Sequence, residues 1–258
     1  MENGRPVETV AIVCNGQFPR REYPLYLLRS ADFVVCCDGA LQALEKRGIV
    51  PDVVIGDMDS VCGRALKRFP GKVVRVEDQE TNDLTKAFAF VMEEWPECRA
   101  VHILAATGYR EDHTLGNLGL LMEYERRWKL SERGISVDLV SDYTTCLALG
   151  GPSPATASGE RTGYIPGEGP VTTVVPGNGP TSVVVPGVGP TFTLDVGEGR
   201  PVSLFTPDPT LRIHSEGLEW PTDGVIFDNW WKASLNRATA DRITLTLSHP
   251  APVLIILG

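Results

Sequence analysis

The sequence predicts an α/β protein: an N-terminal, mostly parallel sheet with flanking helices, followed by a C-terminal all-β sandwich. Three observations predict it. Short apolar runs alternate with helical patterns from Val7 to about Val140, helical periodicity stops after about Thr144, and Gly, Pro, Thr and Val dominate the rest. Strand-helix alternation indicates a parallel sheet covered by helices. Many short strands separated by turn signals indicate a sandwich or a barrel. The chain therefore divides into residues 1–143 and residues 144–258, with a Pro-Gly repeat inserted at about 160–190.

In the first part the strand candidates are Thr9–Cys14, Phe33–Cys37, Val53–Ile55, Val73–Val76, Val101–Leu104 and Ser136–Val140. Helices are expected at Tyr23–Ser30, Leu41–Arg47, Cys62–Phe69, Asp83–Trp95 and Asp112–Leu130. Leu84, Phe88, Val91, Met92 and Trp95 recur at the spacing of one buried helical face. Arg126, Arg127 and Lys129 suit the negative end of the last helix. In the second part the candidates are Val171–Val175, Ser182–Val185, Phe192–Val196, Val202–Phe205, Leu211–His214, Val225–Phe227, Ile243–Leu247 and Val253–Leu257. Ile243 to Leu247 alternates apolar with threonine, as a half-buried antiparallel strand does. Pro-Gly-x-Gly-Pro recurs at 166, 176 and 186. Pro fixes φ at the first corner of a turn and Gly supplies positive φ at the next, so the repeat reads as an extended hairpin or flap, or as a loop that binds a partner or covers the active site.

The 258 residues are 42% hydrophobic, enough for a sizeable core, and the net charge of -9 argues against a general nucleic-acid or membrane-surface binder. The N-terminus shows no secretory pattern, and no apolar stretch approaches a membrane span, so a cytoplasmic protein is expected. The six cysteines lack Cys-x-x-Cys spacing and none pairs with a histidine at zinc-ligand spacing. Reduced, buried thiols are the expectation.

In open parallel sheets, ligands bind where strands end at their carboxyl edges. Asp38-Gly39-Ala40 follows the second strand, and Gly56-Asp57-Met58-Asp59-Ser60 follows the third. Glu77 to Asp83 follows the fourth, and Ala105 to His113 the fifth. Each turn carries a carboxylate. Asp57 and Asp59, at i and i+2 of an extended turn, repel each other unless a cation lies between them. Asp38, Asp83 and Asp112 taken singly read as well as turn or cap residues. Together the carboxylates make a hard-oxygen set suited to Mg²⁺ and a phosphorylated substrate.

The ordered series Pro51-Asp52, Gly56-Asp57-Met58-Asp59-Ser60, Asp78-Gln79, Asp83-Leu84-Thr85-Lys86 and Arg110-x-Asp112-His113 with Asn117 resembles thiamine pyrophosphokinase. Val202-Ser203-Leu204, Gly217-Leu218-Glu219-Trp220-Pro221 and Ser234-Leu235-Asn236 continue the resemblance. It implies transfer of diphosphate from ATP to the hydroxyl of thiamine, giving thiamine diphosphate and AMP. It also implies Mg²⁺ and a homodimer with active sites between subunits. On it, residues 1–143 form the nucleotide- and Mg-binding catalytic domain and 144–258 the thiamine-binding domain.

Carried over by position, the resemblance assigns metal binding and catalysis to Asp57, Asp59 and Asp83. Arg110 and Lys86 take phosphate oxygens. Asp112 completes the acidic set, on the metal or orienting Arg110. Asp38 is open to metal or ribose, while Gln79, Asn82, His113 and Asn117 line the nucleotide side. Trp220 offers a flat surface to a thiamine ring. Ser234 and Asn236 hydrogen-bond the pyrimidine, and Trp230 and Trp231 read as packing residues. Ala40, Asn82 and Tyr109 depart from the pattern, but no carboxylate is lost. The rival readings are a diphosphotransferase acting on another alcohol and a non-catalytic thiamine or nucleotide sensor.

Overall fold

The structure, a computed structural model, describes residues 6–59, 61, 63–150, 163–165, 169–171, 181–184 and 189–258. The chain divides into two compact units, Met1–Leu120 with Val137–Asp142, and Leu121–Ser136 with Tyr143–Gly258. The elements of the first part are β1 (Thr9–Val13), α1 (Glu22–Ser30), β2 (Phe33–Cys37), α2 (Leu41–Glu45) and β3 (Val53–Gly56). They continue as α3 (Gly63–Arg68), β4 (Lys72–Arg75), α4 (Asp83–Glu94), β5 (Ala100–Leu104), α5 (Glu111–Trp128) and β6 (Ser136–Val140).

Here the strand order is β6-β5-β1-β2-β3-β4. Pairing from β5 through β4 is parallel. Apart from Thr9 and His102, the residues of β1, β2, β3 and β5 are apolar on both faces because helices cover both. Ala11, Val13, Cys36 and Val54 pack with Leu27, Leu28, Leu41 and Leu44 of α1 and α2. The alternate set, Val10, Ile12, Val35, Val53 and Ile55, is equally buried. It faces the side where α4 lies against β1, β2 and β3 with Leu84, Phe88, Val91 and Met92 inward. Trp95 follows the helix and stays half-buried, its ring 4.2 Å from that of Phe33. β4 is the exposed edge. α5 stops at Trp128, short of the expected Leu130, because Lys129 takes a left-handed φ of 51°.

The second part comprises β7 (Thr145–Leu149), β8 (Gly163–Ile165), β9 (Gly169–Val171), β10 (Thr181–Val184), β11 (Pro190–Asp195) and β12 (Pro201–Phe205). β13 (Ile213–Glu216), β14 (Asn236–Arg237), β15 (Arg242–Leu247) and β16 (Val253–Leu257) complete it. β14-β12-β16-β7 and β10-β11-β15-β13 form antiparallel layers. A single core joins them: Phe192 and Leu194 with Ile243, Leu245 and Leu247 from one layer, Val202, Leu204, Val253 and Ile255 from the other. This is the expected sandwich, and β15 shows the expected alternation, with Ile243, Leu245 and Leu247 inward.

Two expectations change. Val225–Phe227 is no strand: Val225 donates to the Thr222 carbonyl at 2.9 Å in a turn, and Phe227 reaches the core without a ladder partner. Thr145–Leu149 is a strand the sequence reading omitted, paired with β16 from Thr145↔Leu257 to Leu149↔Val253. β8 and β9 form an antiparallel pair at the start of the repeat region. The turns at 166–168, 176–180 and 186–188 lie outside the described residues. Among the described residues, no helix is long and apolar enough to cross a membrane.

Candidate functional site

Register brings the acidic turns level. Cys37 pairs with Ile55, so the next residues along, Asp38 and Gly56, meet at the carboxyl edge. Gly56 is there for want of space: a Cβ would lie 2.5 Å from Asp38 Cγ and 2.7 Å from its Oδ2. Met58, at φ 71°, turns its backbone amide back so that it donates to Asp38 Oδ2 at 2.9 Å. The turn thereby places Asp38, Asp57 and Asp59 with one oxygen of each within 4.8 Å of the others.

These carboxylates differ in environment. Asp38 is 1% exposed, and its Oδ1 has no hydrogen-bond partner. Burial raises its pKa, and the nearby charge of Asp83 adds to the rise. Asp57 titrates below the usual carboxylate range, chiefly because the Asp59 backbone amide donates to it at 3.1 Å. Gln79 Nε2 also donates to Asp57 Oδ2, at 3.3 Å.

Asp83 opens α4, and Asn82 caps it: the Asn82 side-chain oxygen accepts from the Thr85 amide at 2.9 Å. Such a cap contributes about 1 kcal/mol. The Asn82 side-chain amide nitrogen donates to Asn117 Oδ1 at 3.1 Å, and Asn117 in turn donates to the Ala106 carbonyl at 2.8 Å. One turn further along α4 comes Lys86, its side chain only 4% exposed, with Nζ 3.2 Å from Asp83 and 3.8 Å from Asp57. Lys86 is thus a built-in counter-charge for two of the acids.

Arg110 and Asp112 stand apart from that cluster and pair with each other. Arg110 Nε donates at 3.0 Å and its NH2 group at 2.5 Å, one to each oxygen. The guanidinium holds Asp112 below the usual carboxylate range, and the His113 amide donates to it as well. Of the two roles open to Asp112, the observed contact is with Arg110. His113 is exposed in the first turn of α5.

In the second unit, Trp220 is 56% exposed. Buried Asn236 accepts from the Trp220 amide at 3.1 Å and donates to its carbonyl at 2.7 Å. Its side chain therefore presents the tryptophan. Ser234 donates to the Trp231 carbonyl at 2.6 Å. Trp230 and Trp231, expected as packing residues, are exposed, although the Trp230 ring still lies 6.3 Å from that of Phe205.

The sequence reading passed over the turn after β1. Gly16 donates to the Ala105 carbonyl at 2.6 Å and Gln17 to that of Thr107 at 2.7 Å. Asn15 packs so closely on Gly39 that a Cβ there would lie 2.4 Å from its Nδ2. This turn and the one after β5 flank the point where the strand order reverses direction, the crevice of such sheets. The rule that located the other four turns applies equally to Asn15-Gly16.

Comparison with known proteins accords with this geometry. The family model for thiamin pyrophosphokinase, catalytic domain, matches residues 25–131, and that for thiamin pyrophosphokinase, substrate-binding domain, matches residues 188–251. The chain belongs to the thiamin pyrophosphokinase family. Its enzyme class is thiamine diphosphokinase, a transferase whose family takes ATP and thiamine and typically uses a divalent cation. Solved structures agree in fold. A thiamine pyrophosphokinase from Bacillus subtilis aligns at 17% identity and TM-score 0.66, covering 97% of this chain and 98% of that one. The thiamin pyrophosphokinase from Candida albicans aligns at 12% identity and TM-score 0.67, covering 97% and 90%. The yeast thiamin pyrophosphokinase aligns at 14% identity and TM-score 0.59, covering 100% and 88%. No curated protein matches the chain. The catalytic-domain match contains the whole acidic cluster, and the substrate-binding match contains Trp220, Ser234 and Asn236.

Proposed function

We propose that the chain transfers diphosphate from ATP to thiamine with residues 1–143 as the nucleotide- and Mg-binding domain and 144–258 as the thiamine-binding domain. In the reaction the thiamine hydroxyl oxygen bonds to the β-phosphorus. The bond from that phosphorus to the oxygen bridging α and β breaks, and AMP leaves. The observation that carries the reading is the carboxylate cluster at the sheet edge, with a buried, unpartnered oxygen among hard donors.

A divalent cation fits that donor set; Asp57, Asp59 and Asp83 would hold it, and it would neutralise charge on the triphosphate. Gln79 keeps Asp57 oriented, and Lys86 fixes a positive charge beside Asp57 and Asp83. Arg110, 68% exposed, can turn its remaining outer guanidinium N–H donors to phosphate oxygens while Asp112 holds its Nε edge. The Asn82–Asn117 link fixes the start of α4 against the turn after β5. His113, in the first turn of α5, belongs to the nucleotide side. Little covalent help is needed for such a transfer, so positioning and charge neutralisation supply the catalysis. Trp220 offers its face to a thiamine ring, steadied by Asn236, and the Ser234 hydroxyl lies in the same stretch.

We further infer a cytoplasmic homodimer. The buried thiols of Cys14, Cys36, Cys37, Cys98 and Cys146 accord with a reducing compartment. Incubation with ATP, Mg²⁺ and thiamine should yield AMP and thiamine diphosphate in equal amounts. Turnover with a different alcohol and none with thiamine would replace the substrate; binding of both ligands without product would make the chain a sensor.

A further inference from the structure

We infer that Asp38 is the buried ligand through which the acidic cluster captures a divalent cation before any nucleotide binds. The inference rests on the metal-dependent reading above and changes its ligand set.

The two oxygens of Asp38 have different fates. Oδ2 accepts from the Met58 amide at 2.9 Å, whereas Oδ1 is enclosed and has no partner. An unsatisfied buried polar atom costs about 1–3 kcal/mol, and more when charged, so a fold keeps one where a ligand supplies the missing contact. Its neighbours supply the rest of a donor set: Asp38, Asp57 and Asp59 each offer one oxygen within 4.8 Å of the others, and the lack of a side chain at Gly56 leaves the Asp38 carboxylate room beside it. An atom in a residue only 1% exposed is accessible to a small ion sooner than to a ribose ring. That settles the choice between metal and sugar in favour of the metal.

Asp83 is placed differently. Its carboxylate already faces the Lys86 ammonium at 3.2 Å, and it is not among the three acids whose oxygens converge. It needs no added cation to be satisfied. Asp38 needs one.

The test is titration of wild type, Asp38→Asn, Asp57→Asn and Asp83→Asn with Mn²⁺ alone, following free Mn²⁺ by electron paramagnetic resonance. Each protein is also melted with and without the ion. Asp38→Asn and Asp57→Asn should each weaken Mn²⁺ binding by at least about tenfold, and Asp83→Asn by less than about threefold. Without metal, Asp38→Asn should melt above wild type, because an isosteric amide removes a charge that burial disfavours. Wild-type Mn²⁺ affinity in Asp38→Asn, with loss in Asp57→Asn, overturns the role of Asp38 and leaves the metal site standing. An Asp38→Asn protein that melts lower yet binds Mn²⁺ normally assigns Asp38 to structure alone. A wild type that holds no Mn²⁺ overturns both.

Discussion

Gly56 and Asp38 show how much of the site is decided by single atoms. Gly56 occurs in an ordinary strand, and its need for glycine comes from the neighbouring strand, not from its own turn. A Cβ at 2.5 Å from Asp38 Cγ must displace that side chain. Gly56→Ala should therefore keep the fold, lose about 1–3 kcal/mol to overpacking, and reduce kcat/KM about 100-fold as the acids shift. A thermal melt beside an AMP-release assay measures both, and turnover at the wild-type rate would refute the placement of Asp38 in the site. Asp57 and Asp59 were legible in the sequence, since two acids at i and i+2 imply a cation. The burial of Asp38 was not, because a residue beside Gly39 reads as readily as a turn. Lys86 was legible as a cation near phosphate, but an i, i+3 spacing from Asp83 cannot say that the pair is enclosed.

Among the elements, α5 carries a titratable device at its far end. Glu125 is 5% exposed, and both its oxygens accept from the Ser131 amide at 3.2 Å. Burial pushes its pKa up to about 7 from an ordinary 4.5. The folded state then holds the proton more tightly than the unfolded chain. This contribution is fully present below about pH 4.5 and is lost as pH rises through about 7; at most it is about 3 kcal/mol. Wild type should melt lower at about pH 8 than at about pH 5 from this group, and Glu125→Gln should remove that part of the difference and raise the melting temperature at the higher pH. An unchanged pH dependence in the variant would show that Glu125 ionises freely. The apolar face of α4 was readable because Leu84, Phe88, Val91 and Met92 repeat at helical spacing. Val225–Phe227 and Thr145–Leu149 were misjudged because three to five apolar residues become a strand only if another strand lies beside them. β16 lies beside the second segment, whereas the first closes on itself in a turn.

At the scale of the whole molecule, the stretch from Trp220 to Leu235 leaves Trp220, Ile226, Trp230, Trp231 and Leu235 exposed. So many large apolar side chains in one short segment suit a surface that something covers. With the proposed homodimer, sedimentation equilibrium should return twice the chain mass; a single-chain mass at micromolar protein would remove the dimer from the reading.

The sequence by itself determined the α/β-then-β order, the apolar faces and the acids that gather at the strand ends. These follow from local periodicity, and periodicity survives in one dimension. The ordered motifs also carried the family. Only the tertiary structure decided which acids converge, that Asp38 is enclosed with one oxygen unpartnered, that Lys86 neutralises Asp83, and that Asn236 holds Trp220. Each of these depends on strand register and on contacts between residues far apart in the chain. A shift of one residue between β2 and β3 would move Asp38 away from Gly56 and abolish the cluster without changing a letter of either motif.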